Sequence, residues 1–187
     1  AMARVTAADL HVSVFKERLA SSSPVGAGTA VGYVSIVDNA RFTLGAFVLG
    51  PHAEMPLHDH VGMHVFSTII SGEAFSTSFD WVDPSGTEGM VGGEAAFVDN
   101  HVRLRAGESR MVSPSHGQVH SFVAAESGCV MLDVLAPPYV DDDPARQCHY
   151  FAVRPGSVSS KGVALERVPD PADLVIVPLN SSSSSLP

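Results

Sequence analysis

The chain has 187 residues, of which 45% are hydrophobic and 17% are charged, and its formal net charge is −9. This composition is typical of one globular domain and excludes a largely disordered chain. With 20 acidic residues against 11 basic ones, the chain lacks the basic footprint of nucleic-acid and anionic-membrane binders, and no apolar run approaches the roughly 18 residues that span a bilayer. We therefore expect no nucleic-acid partner and no membrane partner.

The N-terminal part predicts a short helix followed by a linker. Residues 6–20, TAADLHVSVFKERLA, have Thr6 as a candidate N-cap and apolar residues on one face. The following SSSPVGAG has the composition of a flexible connection. We accordingly assign residues 1–29 to an N-terminal helix and linker.

The rest of the chain predicts an all-β domain. From about residue 30, short apolar or alternating segments recur between glycine and proline turn signals, which is typical of an antiparallel sandwich or barrel. Residues 83–94, DPSGTEGMVGGE, predict a long exposed hairpin loop, and the final NSSSSSLP predicts disorder. We assign residues 30–178 to one domain and residues 179–187 to a disordered tail.

Three histidines fall within seven positions in the stretch PLHDHVGMHV, residues 56–65. Side chains alternate between the two faces of a strand, so His58 and His60 would share a face while Asp59 points to the other. Two imidazoles could then reach one metal ion, and His120, in the alternating segment PSHGQVHSF, is the best candidate for a third ligand. Spacing alone leaves two interpretations open, a metal site and a polar patch that is rich in histidine.

The two histidine segments together resemble the two motifs of the cupin family over residues 54–123. The resemblance includes Gly72 after the first pair, and the spacing that leads from Gly107 through Pro114 and Gly117 to the third histidine. It implies a double-stranded β-helix, a small jelly-roll barrel that holds a metal inside.

One departure from the general cupin pattern narrows the site. Many cupins have a glutamate ligand four or five residues after the second histidine, where this chain has His64 and Val65. The H-x-D motif of two-histidine, one-carboxylate oxygenases is also incomplete, because Leu57 stands two positions before Asp59. A three-histidine site without a carboxylate remains, and the direction of His64 stays open.

The flanking sequence resembles that of the plant cysteine oxidases and the animal cysteamine dioxygenases over about residues 32–155. The segments that carry the resemblance are MPLHDHVGMHVFSTIISGEAFSTSFDWVD, HGQVHSF and CVMLDVLAPPYVDDDPARQCHYF. The resemblance implies Fe(II) held by His58, His60 and His120, and the addition of both atoms of O₂ to a thiol to give a sulfinic acid. The substrate would be the N-terminal cysteine of a protein or peptide, oxidised for oxygen sensing through N-degron proteolysis, or free cysteamine.

Asp133 and Tyr139 are candidates for residues that act beside the metal. Asp133 interrupts the apolar strand CVMLDVLA, where an ionised carboxylate is costly unless it is paired. It either bonds backbone amides or an arginine, or it acts in the reaction by orienting the ammonium group of the substrate or by tuning the surroundings of the iron, and the resemblance favours a role in the reaction. Tyr139 either packs at the barrel mouth or, as the resemblance implies, brings a hydroxyl close to the thiol or to O₂.

The two cysteines have different expected roles. Cys129 is expected in the core, and two cysteines are too few for a disulfide framework, which favours a reducing compartment. Cys148 and Tyr150 lie two residues apart and would share a strand face. The resemblance to the animal enzymes implies that these two side chains can become covalently linked.

Three alternatives to a peptide-oxidising enzyme remain: a small-aminothiol dioxygenase, a metal-binding cupin without catalytic activity, and a zinc hydrolase. The acidic residues 141–143 would form either a rim that favours peptides with basic first residues or a solvated turn. Family and charge further suggest a monomer in the cytoplasm or the nucleus. Three more histidines are expected at the surface or in loops and not as ligands: His101, His116 and His149.

Overall fold

The computed structural model describes Glu17 and residues 30–83, 91–140, 143, 146–160 and 162–179. The predicted N-terminal helix, apart from Glu17, and the predicted tail after Leu179 lie outside these residues. Within the described part of the chain, no helix is long and apolar enough to cross a membrane.

The described residues form ten strands. In chain order they are β1 (Ala30–Asp38), β2 (Thr43–Leu49), β3 (Glu54–Asp59), β4 (His64–Trp81), β5 (Gly92–Arg105), β6 (Ser109–Val112), β7 (Val119–Ala136), β8 (Tyr150–Val153), β9 (Val163–Val168) and β10 (Val175–Pro178). Neighbouring strands pair antiparallel, except that β1 and β10 run parallel.

β4 and β7, with 18 residues each, pair with each other along most of their length. Register shifts after Ile69 and Gly72 divide this pairing into two halves. In one half the outer neighbours are β2 and β6, and in the other half they are β3 and β5. Gly72 lies at the boundary between the two halves, and only glycine fits there. Its φ is +75°, and a Cβ would lie 2.0 Å from the carbonyl oxygen of Gly128.

Six strands close into a hydrogen-bonded ring in the order β7–β3–β8–β9–β5–β4 and back to β7. The joint between β3 and β8 consists of one residue pair, His58 with Tyr150. The prediction of an all-β barrel of the double-stranded β-helix type is therefore confirmed. The barrel brings the end of β3, the start of β7 and the start of β8 to one place.

Apolar side chains fill the barrel around this place. At one end the buried cluster is built on Phe79, Phe151 and Leu165, and at the other end on Met63 and Val65. Full burial of side chains of this size contributes roughly 1.5–3 kcal/mol each relative to exposure. The histidine-bearing strands are thus held from both sides by packed core.

Two predicted boundaries differ from the structure. β5 begins at Gly92, inside the predicted 83–94 loop, because this glycine packs against β9 where a Cβ would lie 2.4 Å from the Leu165 carbonyl oxygen. Leu179 was assigned to the tail, but it is buried and its amide donates to the Tyr33 carbonyl at 2.8 Å. Its side chain covers Gly32, so it belongs to the packed body.

Candidate metal centre

Three histidine side chains meet inside the barrel. His58 lies in β3, His60 follows the last residue of β3, and His120 lies in β7 as the direct register partner of His58. Their Nε2 atoms are 3.1 Å (His58 to His60), 2.9 Å (His60 to His120) and 3.2 Å (His58 to His120) apart. The sequence prediction that these three residues come together is thus matched by the geometry, and among the described residues they form the one cluster suited to a metal ion.

The spacing of the three nitrogens fits one bound ion. An ion at about 2.1 Å from each imidazole nitrogen, with the three donors at right angles, would bring neighbouring nitrogens to about 3.0 Å. All three side chains are at most 8% exposed. No carboxylate or thiol of the described residues belongs to the cluster.

The hydrogen bonds of His58 and His60 also fit a metal. The Pro56 carbonyl can only accept, so the 2.8 Å contact puts a proton on Nδ1 of His58. The Tyr139 hydroxyl lies 2.6 Å from both the Asp59 carbonyl and Nδ1 of His60. Because its one proton must go to the carbonyl, its oxygen accepts from Nδ1–H of His60.

Nε2 therefore carries a lone pair in the neutral ring of His58 and in that of His60, and these two lone pairs face each other. Two acceptors at 3.1 Å repel each other unless a cation lies between them. Burial lowers the pKa of His58, and burial together with mutual repulsion lowers the pKa of His60 and of His120 well below the usual range. The three imidazoles are hence neutral at physiological pH, which is the form that binds metals.

A cavity of about 160 Å³ opens on one side of the three histidines. Its apolar wall consists of Phe47, Met55, Phe122, Met131, Leu135 and Ile176, and its polar groups are Asp133, Tyr139, Cys148 and Tyr150. Asp133 and Tyr139, which the sequence predicted beside the metal, therefore line the same cavity as the predicted pair Cys148 and Tyr150. None of the described lining residues is a lysine or an arginine.

Asp133 is a buried acid without a full set of partners. It lies in β7 between Gly45 of β2 and Ser67 of β4. Burial raises the pKa of Asp133 to about 7, and the nearby Ser67 hydroxyl offsets this rise only weakly. Neither Oδ1 of Asp133 nor Oγ of Ser67 makes a hydrogen bond of ordinary geometry with the described residues. The cavity thus contains a carboxyl group that lacks a cationic partner.

Cys148 lies within hydrogen-bonding reach of two phenols, those of Tyr139 and Tyr150. Burial raises the pKa of the Cys148 thiol to about 12 and raises the pKa of Tyr150. Cys148 is therefore a neutral thiol at physiological pH, which makes it a poor metal ligand and a poor nucleophile. The contact between Cys148 and Tyr150 is compatible with the predicted covalent link, which stays a prediction.

Asp59 points away from the three histidines, as the strand alternation predicts, but it is buried. Its carboxylate pairs with His149, with Nδ1 and Oδ2 at 3.0 Å. Of the two expected positions for His149, surface or loop, the structure shows a loop residue outside the cluster whose side chain is buried, at 3% exposure. Burial raises the pKa of Asp59, and the hydrogen bonds from His149 offset part of the rise.

The other histidines do not take part in the cluster. His64 is exposed at the start of β4, so it does not replace the missing glutamate. His101 is exposed and stacks on Phe75 with ring centroids 4.4 Å apart, and His116 lies 3.4 Å from Asp80. Of the predicted acidic rim at 141–143, the first two residues lie outside the described part of the chain.

The barrel and its buried three-histidine cluster define a cupin-type protein with a site that could hold a metal ion. A family model described as PCO_ADO matches residues 2–182. The chain is 33% identical over 172 residues to the probable 2-aminoethanethiol dioxygenase of Dictyostelium discoideum, covering 87% of this chain and 78% of that one. It is 31% identical over 193 residues to plant cysteine oxidase 2 of Arabidopsis thaliana, covering 94% of this chain and 66% of that one. Among solved structures, an RmlC-like cupin from Shewanella frigidimarina matches with a TM-score of 0.44 and 19% identity, over 65% of this chain and 85% of that one.

The chain belongs to the PCO_ADO family, which confirms the resemblance seen in the sequence. Its named relatives are thiol dioxygenases, so the chain is a member of a family of oxidoreductases. The share of the Arabidopsis relative that it spans is about two thirds.

Proposed function

We propose that this protein is an Fe(II)-dependent dioxygenase that converts the N-terminal cysteine of a protein or peptide to cysteine sulfinic acid, in oxygen sensing through N-degron proteolysis. The reaction R–SH + O₂ → R–SO₂H balances without an external reductant. The observation that carries the proposal is the convergence of three neutral imidazoles, without a carboxylate, beside a cavity that contains the unpaired Asp133.

His58, His60 and His120 would hold the iron, which, when bound, supplies the redox chemistry of the reaction. Because the three imidazoles are neutral, they leave the positive charge of the site to be balanced by the substrate, which favours binding of the thiol as a thiolate. The Tyr139 hydroxyl holds the His60 ring in the tautomer that offers Nε2. The apolar wall around Phe122 and Met131 excludes water from the thiol.

The buried carboxyl group of Asp133 favours a substrate that has an ammonium group close to its thiol. An N-terminal cysteine and cysteamine share this arrangement, and a cationic amine would supply the partner that Asp133 lacks. Free cysteine would add a carboxylate, for which the described cavity residues offer no lysine or arginine. The cavity chemistry therefore favours aminothiols without a free carboxylate next to the amine.

Cysteamine is the second candidate substrate, because a cavity of about 160 Å³ accepts a molecule of that size as a whole. A peptide would place only its first residue there and extend past the rim. We propose, from family and charge, a monomer in the cytoplasm or the nucleus, and both cysteines are free thiols, which supports a reducing compartment. Size-exclusion chromatography and microscopy of a fluorescent fusion test these two points.

The substrate test compares a Cys-initiated peptide, cysteamine and free cysteine with iron-loaded protein, in air and under argon, by mass spectrometry. We expect two added oxygen atoms on the peptide in air and none under argon. Faster turnover of cysteamine than of peptides would favour the small-aminothiol enzyme. A product formed equally under argon would indicate hydrolysis, and no product at all would indicate a metal-binding protein without this activity.

A further inference from the structure

His120 also lines a second cavity, of about 300 Å³, that shares no other lining residue with the substrate cavity. We call it the rear chamber. Its lining includes His120, Ser76, Ser78, Asp99 and Arg110. His120 is the residue that lines both cavities, so the rear chamber adjoins the proposed metal centre.

We propose that the rear chamber binds water that accepts a hydrogen bond from Nδ1–H of His120 and thereby orients this ligand. The proposal rests on metal binding by the three histidines, and it does not depend on which thiol is oxidised. A histidine that binds a metal through Nε2 carries its proton on Nδ1, and this N–H needs an acceptor in the surrounding shell.

The three ligand histidines differ in which group accepts a hydrogen bond from their Nδ1–H. Nδ1 of His58 bonds the Pro56 carbonyl, and Nδ1 of His60 bonds the Tyr139 hydroxyl. His120 has its Nε2 among the other two Nε2 atoms, yet no described residue bonds its Nδ1. Because Nε2 of His120 faces the other two ligands, we infer that Nδ1, on the other side of the ring, faces the rear chamber that this residue also lines.

The lining of the rear chamber suits water better than O₂ or an apolar group. Ser78 is the register partner of His120, and both Ser76 and Ser78 are buried hydroxyl residues of β4 that face the chamber. The Ser78 hydroxyl accepts from the Asp99 amide at 3.2 Å. Hydroxyls that both donate and accept can bind water molecules inside a protein.

An ion pair lies at the outer edge of the rear chamber. Asp99 of β5 and Arg110 of β6 are 2.7 Å apart, with side chains 20% and 32% exposed. β5 and β6 are not hydrogen-bonded neighbours in the sheet. The pair therefore links two strands that are not neighbours and contributes charged side chains to the lining of the chamber.

The test changes Ser78 in two ways. Both Ser78→Ala and Ser78→Leu remove the hydroxyl that accepts from Asp99, but only leucine fills the space beside His120. Cobalt(II) affinity is measured by optical titration without thiol or O₂, after circular dichroism has shown that both variants are folded. We expect Ser78→Ala, which removes one hydroxyl but leaves room for the water, to bind cobalt more tightly than Ser78→Leu, which should bind about tenfold more weakly than wild type, as for loss of an outer partner of a metal ligand.

Equal cobalt affinity of the two folded variants would overturn the proposal. If Ser78→Leu does not fold, a high-resolution crystal structure of the wild-type cobalt protein decides. An ordered water within about 3.2 Å of Nδ1 of His120 supports the proposal, and a dry chamber or a protein acceptor on this atom overturns it. Because the titration uses neither thiol nor O₂, failure of the proposed reaction would leave its result unaffected.

Discussion

Asp59 and His149 are joined by three hydrogen bonds in the protein interior. The Asp59 carboxylate accepts from the His149 amide at 2.9 Å and pairs with its Nδ1 at 3.0 Å, and the Asp59 amide donates to the His149 carbonyl at 3.1 Å. Asp59 stands between two proposed metal ligands, and His149 stands between Cys148 and Tyr150. The pair therefore sets the position of the metal ligands relative to one wall of the substrate cavity.

Replacing His149 by alanine should destabilise the protein and misplace this wall. The Asp59 carboxylate would stay buried without its partner, which costs about 3 kcal/mol. We expect a clear loss in urea-unfolding free energy and a lower kcat with the Cys-initiated peptide. His64→Ala is the matched control, since His64 is exposed, and it should change the unfolding free energy by less than about 0.5 kcal/mol. Equal stability of the two variants would show that the buried pair does not hold the site.

Removing the Tyr139 hydroxyl should weaken metal binding. Tyr139→Phe keeps the ring that stacks on His60 at 5.3 Å but leaves Nδ1–H of His60 and the Asp59 carbonyl without their partner. We expect the metal dissociation constant to rise about tenfold. Competition with a chelator of known affinity measures the change, and an unchanged constant would mean that the hydroxyl does not orient His60.

Asp133 should contribute stability to the metal-free protein that is lost as the pH rises, opposite in sign to the contribution of the three buried neutral histidines. Its pKa is about 7 in the folded state against an ordinary 3.8, so the folded state holds the proton more tightly than the unfolded state does. Stability from this group is therefore fully present below about pH 4, decreases as the pH rises towards 7, and then levels off. The difference between the two pKa values corresponds to on the order of 4 kcal/mol.

Asp133→Asn should remove most of this pH dependence. Thermal unfolding at pH 5 and pH 8 tests the expectation by difference: the three buried histidines act alike in both proteins, so the stability of the wild type relative to the variant should fall between the two pH values. If the stability of both proteins depends on pH in the same way, this dependence arises from groups other than Asp133. The variant should also have a raised KM for aminothiols, because it lacks the charge that would pair with the ammonium group.

Acetylating the amine of the substrate should prevent its oxidation. An N-acetylated cysteine peptide keeps the thiol but loses the cation that Asp133 would bind. We expect turnover of the free-amine peptide and less than about a tenth of that rate for the acetylated one, since one charge-assisted hydrogen bond is worth about 1.5 kcal/mol or more. Comparable rates for the two peptides would show that Asp133 does not recognise the amine of the substrate.

Local signals in the sequence predict a β domain and single out His58, His60 and His120 as candidate ligands, and the family resemblance then selects the barrel and the three-histidine metal site. Alternation along a strand puts two histidines on one face, and recurring short strands predict a β domain that can bring the third histidine to them. The family resemblance adds Asp133 and Tyr139, which indeed line the substrate cavity.

Burial of His149 could not be predicted in the same way. Its partner Asp59 is 90 residues away in the sequence, and no local pattern links a loop histidine to a strand aspartate. The rear chamber also depends on distant strands, since β4, β5 and β6 all contribute to it. Leu179 adjoins a serine-rich tail in the sequence, and its burial depends on the space left above Gly32 in β1.

The most direct test is oxidation of a Cys-initiated peptide under ¹⁸O₂ by the iron-loaded wild type and by His120→Ala. We predict a sulfinic acid with two labelled oxygen atoms for the wild type, and loss of both bound iron and product for the variant. A wild-type product that contains oxygen from water, or a folded His120→Ala protein with full iron and full turnover, would contradict the assignment of this site as a three-histidine thiol dioxygenase centre.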